Sequence, residues 1–168
     1  MNKAIFLDRD GVINEKRNDY VKSLEELNIF PFVATAIKKL HSLNFLVIVI
    51  TNQSAVNRGL ISHKKLSEIH NTIQNHMMKN NTSIDAFYYC PHKPDENCNC
   101  RKPKSGLLLK AIQAFNIDPA LSWMIGDSDS DIIAGKSVGA NTAKIEKEKN
   151  LDRIVEKIIH SYDISKNN

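Results

Sequence analysis

Short apolar runs alternate with segments of helical periodicity along nearly the whole chain, and most of these runs end on a polar cluster. Ile5-Phe6-Leu7 leads straight into Asp8-Arg9-Asp10-Gly11, Phe45 to Ile50 into Thr51-Asn52-Gln53-Ser54, and Trp123-Met124-Ile125-Gly126 into Asp127. Ala86 to Tyr89 and residues 142 to 145 read as two further short strands. Between them, Val33, Ala36, Ile37 and Leu40 mark a helix that starts at Pro31 and ends near Asn44. Leu66, Ile69 and Ile73 mark a second helix over residues 62 to 80, and Leu108, Ala111, Ile112 and Phe115 a third. Asp131 to Val138 reads as a short helix closed by Gly139. Leu151, Ile154, Val155, Ile158 and Ile159 form an amphipathic terminal helix, with the last eight residues polar and frayed. Strands alternating with helices imply a parallel sheet with right-handed crossovers. The polar ends of the first, second and fourth strands then meet at one edge, where open α/β sheets place chemistry.

With 168 residues the chain has room for one domain with a real core, residues 1–168, and little for two. Hydrophobic residues make up 42% and charged residues 25%, the ordinary balance of a soluble globular protein. The net charge of +4 suits an anionic ligand, but no basic run is interleaved with aromatics, so no nucleic acid partner is expected. The longest fully apolar run, Phe45 to Ile50, is far short of the roughly 18 residues a membrane helix needs. The first strand begins about three residues after Met1, which leaves no room for a signal peptide, and a cytoplasmic protein is expected.

Three groups of residues carry chemistry. Asp8 and Asp10 sit at a strand tip just before Gly11, which lets the backbone close around a small anion. One carboxylate can attack phosphorus while the second protonates the leaving oxygen and later activates water. Together with Asp127 they offer hard oxygens to Mg²⁺, which offsets the repulsion between carboxylate and phosphate. The bland alternative is a β-turn with solvated aspartates. Thr51 and Asn52, with Arg58 a few residues on, could donate hydrogen bonds to the same anion, or simply cap the strand end. Lys102 could stabilise a phosphoryl group in transfer and Arg101 grip the rest of an anionic substrate, although Arg-Lys-Pro-Lys is also an ordinary solvated turn.

The third group is Cys90-Pro91-His92 and Cys98-Asn99-Cys100. Three thiolates and an imidazole supply a closed tetrahedral Zn²⁺ site in the loop 90–100, structural because no position stays open. Such a site would pin Arg101 and Lys102, and three cysteines crowded into one loop suit a reducing compartment. His41, His63, His70, His76 and His160 have no matching partners in sequence and read as surface or helix residues. Residues 14 to 30 read as a long loop or flap beside the site.

With these motifs in place, the chain resembles the haloacid dehalogenase superfamily of phosphohydrolases over nearly its whole length. Asp8-Arg9-Asp10-Gly11 is similar to motif I, Thr51 to motif II, Lys102 to the lysine of motif III, and Gly126-Asp127 with Asp131 to motif IV. Within the superfamily the resemblance is closest to the heptose 1,7-bisphosphate 7-phosphatases of the histidinol-phosphatase group. It rests on Asp8 to Asn14, Tyr20-Val21, Thr51 to Ser54 with Arg58-Gly59, the cysteine loop, and Arg101-Lys102-Pro103 with Gly106. The resemblance implies a Rossmann-like three-layer α/β sandwich with a mainly parallel sheet and no inserted cap domain. It also implies Mg²⁺ dependence, a structural Zn²⁺ and a small phosphorylated sugar as substrate, and a capless single domain is compatible with a monomer.

By the same route Asp8 would be the nucleophile, Asp10 the acid/base, and Thr51 and Lys102 the groups that steady the phosphoryl. Arg101, Asp19, Tyr20, Asn52, Gln53, Ser54 and Arg58 would contact substrate. Asp8, Asp10 through its carbonyl, and Asp127 would bind Mg²⁺. The chain departs from the family pattern at Phe32 and Ala55, where glycine is common, and in a slightly long spacing from Asn14 to Tyr20. Two rivals stand beside this reading: a histidinol-phosphate phosphatase with the same machinery, and a zinc-bearing nucleic-acid-binding module whose aspartates are inert.

Overall fold

β-Branched and aromatic residues dominate the apolar runs, and in the computed structural model these runs form five strands of one parallel sheet. The structure describes the backbone of residues 1–146 and 150–166, with side chains in the last helix through residue 161. The strands are β1 (Lys3–Leu7), β2 (Phe45–Asn52), β3 (Ala86–Cys90), β4 (Trp123–Gly126) and β5 (Asn141–Lys144), in spatial order β3-β2-β1-β4-β5. Phe6 of β1 sits level with Ile48 of β2 and Met124 of β4.

Alternation along β1 sends Ile5 and Leu7 to one face and Ala4 and Phe6 to the other. The first face packs, with Val47, Val49 and Ile125, against α1 (Val33–Ser42), α2 (His63–Lys79) and α5 (Leu151–Lys166). The second packs, with Ile48, Ile50 and Met124, against α3 (Gly106–Phe115) and α4 (Asp129–Ser137). The result is the three-layer sandwich, in which fully buried side chains such as Phe6, Phe45 and Ile37 each contribute about 1.5–3 kcal/mol.

From β1 the chain winds outward through β2 to β3, then returns to the other side of β1 for β4 and β5. The order therefore reverses between β1 and β4, and a crevice opens there beyond the carboxyl ends of the strands. Asp8 and Asp127 follow directly on those two ends.

Several bounds differ from the sequence reading: α1 starts at Val33 rather than Pro31, α4 at Asp129 rather than Asp131, β3 runs on to Cys90, and β5 spans Asn141–Lys144 rather than residues 142 to 145. Thr51 and Asn52 belong to β2, because pairing continues with Tyr89 and Cys90 of β3. The terminal helix continues to Lys166 instead of fraying from Ser161, and residues 167 and 168 lie outside the described residues. Residues 8–32 hold no helix or ladder, but the buried Asn14 ties this loop down through bridges to Asp10 and Ile29. Among the described residues no helix is long and apolar enough to cross a membrane.

Candidate active site

Just past β1 the backbone makes one more ladder contact, from the Asp8 amide to the Ile125 carbonyl at 2.9 Å, and then turns. The turn closes through Ile13 N–H donating to the Arg9 carbonyl at 2.8 Å and Gly11 N–H donating to Asn14 at 2.7 Å. Gly11 has φ +85°, and a Cβ there would lie 2.6 Å from Asp127 Oδ2, so a side chain would be both strained and in the way. Asp8 and Asp10 thereby face a cavity of about 350 Å³ at the switch point.

Asp8 Oδ1 accepts the Arg9 backbone N–H at 2.8 Å and lies 2.9 Å from Lys102 Nζ. Burial pushes its carboxyl up to about 6, against the pull of Lys102 and helped by the nearby Asp131 and Asp10 charges. Lys102 is almost fully buried; its ammonium donates to the Ile50 carbonyl at 2.7 Å and lies 2.6 Å from Asp131 Oδ1. Burial alone would lower it, but the two carboxylates hold it above the usual lysine range. Its backbone is clamped by Asn52, whose Nδ2 donates to the Lys102 carbonyl and whose Oδ1 accepts the Lys102 N–H, both at 3.0 Å.

Asp10 is braced from three sides. Its Oδ1 accepts Arg9 NH2 at 2.9 Å and Asn14 Nδ2 at 3.0 Å, and its Oδ2 accepts Gln53 Nε2 at 2.7 Å. Burial would raise this carboxyl, yet the Arg9 charge and these donors bring it below the usual carboxylate range. Arg9 itself is completely buried and reaches His70 of α2, with NH1 3.4 Å from Nε2. His70, read from the sequence as a surface or helix residue, is buried on α2 and stacks on Phe87 with ring centroids 4.9 Å apart.

Asp127 and Asp131 complete the acidic side. Asp131 closes a capping box at the start of α4, with Ser128 N–H and Oγ donating to its Oδ2 at 3.0 and 2.7 Å. A Cβ at Gly126 would lie 2.1 Å from that oxygen, so only glycine lets the carboxylate tuck against β4. Carboxylate oxygens of Asp8, Asp127 and Asp131 lie within 4.8 Å of one another. Among the described residues Asp127 Oδ1 is buried without a hydrogen-bond partner, and Asp131 Oδ1 faces the Lys102 ammonium without an aligned hydrogen bond. Hard oxygens with lone pairs to spare fit a Mg²⁺-like cation. The Asp10 side chain is not in this set; Asp131, named in sequence only as a motif position, is. The exposed Lys16 ammonium lies 2.7 Å from Asp127 Oδ2.

The cysteine loop also comes together. Cys98 Sγ lies 3.7 Å and Cys100 Sγ 2.9 Å from Cys90 Sγ, and His92 Nδ1 lies 3.3 and 3.2 Å from Cys90 and Cys100. The edge of a ZnS₄ tetrahedron is about 3.8 Å, so three soft thiols and one imidazole at these spacings fit Zn²⁺ after a small relaxation. Burial works against ionising Cys98, but backbone N–H groups of Arg101 and Cys100 aimed at its sulfur bring it down to about 7. Arg101 next in line donates NH1 to the His92 carbonyl at 3.1 Å and lines the cavity.

The remaining sequence candidates divide. Tyr20 and Asn52 line the cavity, as do Lys16, Arg17 and Asn18 of the loop that was read as a flap. Gln53 spends its amide on Asp10 and on Thr51 Oγ1 at 2.9 Å, and Thr51 is fully buried. Ser54 is buried and contacts Tyr20 Oη at 3.2 Å. Arg58 stays exposed, reaching only Ser54 at 3.4 Å, and Asp19 points to Lys22 and Arg17. Neither lines the cavity.

Comparison with known proteins agrees with this geometry. A HAD-hydrolase-like family model matches residues 99–164. The D-glycero-beta-D-manno-heptose-1,7-bisphosphate 7-phosphatase of Helicobacter pylori strain J99 is 37% identical over 167 residues, covering 99% of this chain and 92% of the relative. The enzyme of the same name from Pasteurella multocida is 37% identical over 142 residues, covering 81% and 77%. The crystal structure of the D,D-heptose 1,7-bisphosphate phosphatase of B. bronchiseptica, complexed with magnesium and phosphate, superposes with a TM-score of 0.86 at 29% identity, covering 95% of this chain and 99% of that one. The chain belongs to the D-glycero-beta-D-manno-heptose-1,7-bisphosphate 7-phosphatase family of HAD-like phosphatases.

Proposed function

We propose that the chain is a Mg²⁺-dependent phosphatase that removes the 7-phosphate of D-glycero-D-manno-heptose 1,7-bisphosphate, supplying nucleotide-activated heptose for surface polysaccharide. The observation that carries this is the pairing, on one cavity floor, of Asp8 against Lys102 at 2.9 Å with Asp10 braced beside it. Asp8 attacks phosphorus and forms an aspartyl-phosphate, while Asp10 gives its proton to the leaving sugar oxygen. With its carboxyl below the usual range in the free protein, Asp10 has to take up that proton as the substrate binds. Asp10 then takes a proton from water as the aspartyl-phosphate hydrolyses, and Lys102 neutralises the phosphoryl oxygens throughout.

Asp8, Asp127 and Asp131, with the Asp10 carbonyl, would hold the Mg²⁺. When bound, the ion offsets charge between the carboxylates and the phosphate. Cys90, His92, Cys98 and Cys100 would hold a structural Zn²⁺ that fixes the turn carrying Arg101 and Lys102. The thiol-rich loop suits a reducing compartment, and we place the enzyme in the cytoplasm.

Lys16, Arg17 and Arg101 at the cavity favour a second phosphate on the substrate over the cationic amine of histidinol phosphate. The test is phosphate release with Mg²⁺ on both anomers of the heptose bisphosphate, beside histidinol phosphate and fructose 1,6-bisphosphate. Strong preference for one heptose anomer supports the reading. Preference for histidinol phosphate overturns the substrate while keeping the catalytic assignment.

A further inference from the structure

A fully buried arginine beside an acid/base carboxylate is costly unless every donor it presents is used. Arg9 directs Nε and NH2 to Asp10 Oδ1 at 3.3 and 2.9 Å, and NH1 to His70 Nε2 at 3.4 Å. Arginine has no acceptor, so His70 Nε2 must accept and the ring proton sits on Nδ1. Burial, with the Arg9 charge beside it, pushes His70 down to about 3, so it stays neutral and able to accept. The ring is itself held by stacking on Phe87 and by an edge contact with Tyr89, centroids 4.9 and 6.0 Å away, both on β3.

This arrangement makes the two oxygens of Asp10 unequal. Oδ1 accepts from Arg9 twice and from Asn14, which uses up its lone pairs. Among the described residues Oδ2 accepts only from Gln53, and the carboxylate lines the cavity. We propose that Arg9 and His70 are positioning residues which lock the Asp10 carboxyl so that Oδ2 alone exchanges protons with the substrate. The chain of support runs from β3 through the His70 ring and the Arg9 fork to Oδ1. The same arginine's backbone N–H holds Asp8 Oδ1 at 2.8 Å, so one residue orients both the nucleophile and the acid. The proposal rests on the reading of Asp10 as general acid.

That dependence shapes the test. Phosphoryl transfer to Asp8 from an alkyl phosphate needs a proton on the leaving oxygen as the P–O bond breaks, whereas p-nitrophenolate leaves without one. The ratio of kcat/KM for the heptose bisphosphate to that for p-nitrophenyl phosphate therefore reports the acid alone, and any inactive fraction cancels from it. Asp10→Asn is the benchmark, expected to lower the ratio by roughly 10²-fold or more. Arg9→Lys and His70→Leu are expected to lower it by about tenfold, and His70→Gln, whose Oε1 can accept from NH1, to restore most of it.

If Asp10→Asn shifts the ratio while Arg9→Lys and His70→Leu lower both substrates alike, positioning is overturned and the acid role stands. The same holds if His70→Gln behaves as His70→Leu. If Asp10→Asn leaves the ratio unchanged, Asp10 is not the acid, and the catalytic reading falls together with the proposal.

Discussion

The two carboxylate groups at this strand edge are treated in opposite ways. Asp10 is braced by Arg9, Asn14 and Gln53, which fill its Oδ1 and fix its orientation, and sits below the usual carboxylate range. Asp8 and Asp131 share one buried ammonium, Asp127 has a buried oxygen with no hydrogen-bond partner among the described residues, and burial pushes Asp8 up to about 6. On the proposed mechanism, the chain completes by itself the group that would move protons, and leaves incomplete the group that would receive a cation and a phosphoryl. A carboxylate needed in one fixed orientation is served by donors on adjacent loops, whereas one that must bind ligands keeps its lone pairs free.

The largest expected effect that would break this contrast is on the nucleophile. Asp8→Asn should reduce phosphate release on the order of 10⁵-fold or more, since the uncatalysed hydrolysis is extremely slow. Substantial remaining activity, measured at saturating substrate, would remove Asp8 from its role. Next comes the shared ammonium: Lys102→Met leaves buried carboxylates without a counter-charge, and about 3–5 kcal/mol of unfolding free energy should be lost. Denaturant melts of the metal-free protein would show it, and an unchanged midpoint would mean the carboxylates are relieved by other means.

A divalent cation tests the incomplete side directly. Mg²⁺ at 100 times its Kd should stabilise the protein by about 2.7 kcal/mol. Asp127→Asn should largely abolish that shift, and Asp10→Asn should leave it in place, because the Asp10 side chain lies outside the cation set. Equal loss in both variants would erase the distinction between the two groups.

The most gradual effect, spread over several pH units, concerns the support behind Asp10. His70 is held at about 3 in the folded protein against an ordinary 6.5, so below 6.5 the unfolded chain binds a proton that the native one refuses. Its contribution to stability is complete above about pH 6.5 and declines toward pH 3, by at most about 1.4 kcal/mol per pH unit. The difference between the native protein and His70→Gln, followed by denaturant melts across that window, should carry this slope. Parallel curves would mean His70 protonates freely in the fold.

Much of the site is legible without coordinates, and particular residues show where legibility stops. His70 lies four residues after Leu66 and three before Ile73, on the apolar stripe of its helix, so its burial follows from periodicity, while its partner Arg9 lies 61 residues away and has no sequence signal. Asp131 stands in the sequence only as a motif position opening a helix; its capping box with Ser128, and an oxygen beside Lys102, come from where α4 begins. Lys16 and Arg17 lie in a stretch with no periodicity, and long-range contacts such as the bridges of Asn14, the Lys16–Asp127 ion pair and the Tyr20–Ser54 contact bring that loop over the cavity. Arg58 shows the reverse: its spacing from the strand tip suggested an anion contact, and the turn after Ser54 turns it to solvent.

The sequence by itself determined the strands, the helical faces, the two aspartates ahead of a glycine and the closed set of cysteines and histidine, because these follow from local period and spacing. Only the tertiary structure decided the strand order that opens a crevice between β1 and β4. It also decided that Asn52 clamps the Lys102 backbone, that Gln53 serves Asp10, and that Arg9 links Asp10 to α2. Each of these is a pairing between donors and acceptors distant in sequence or turned toward one another by a bend, and burial forces every such group to find its partner within a few ångströms.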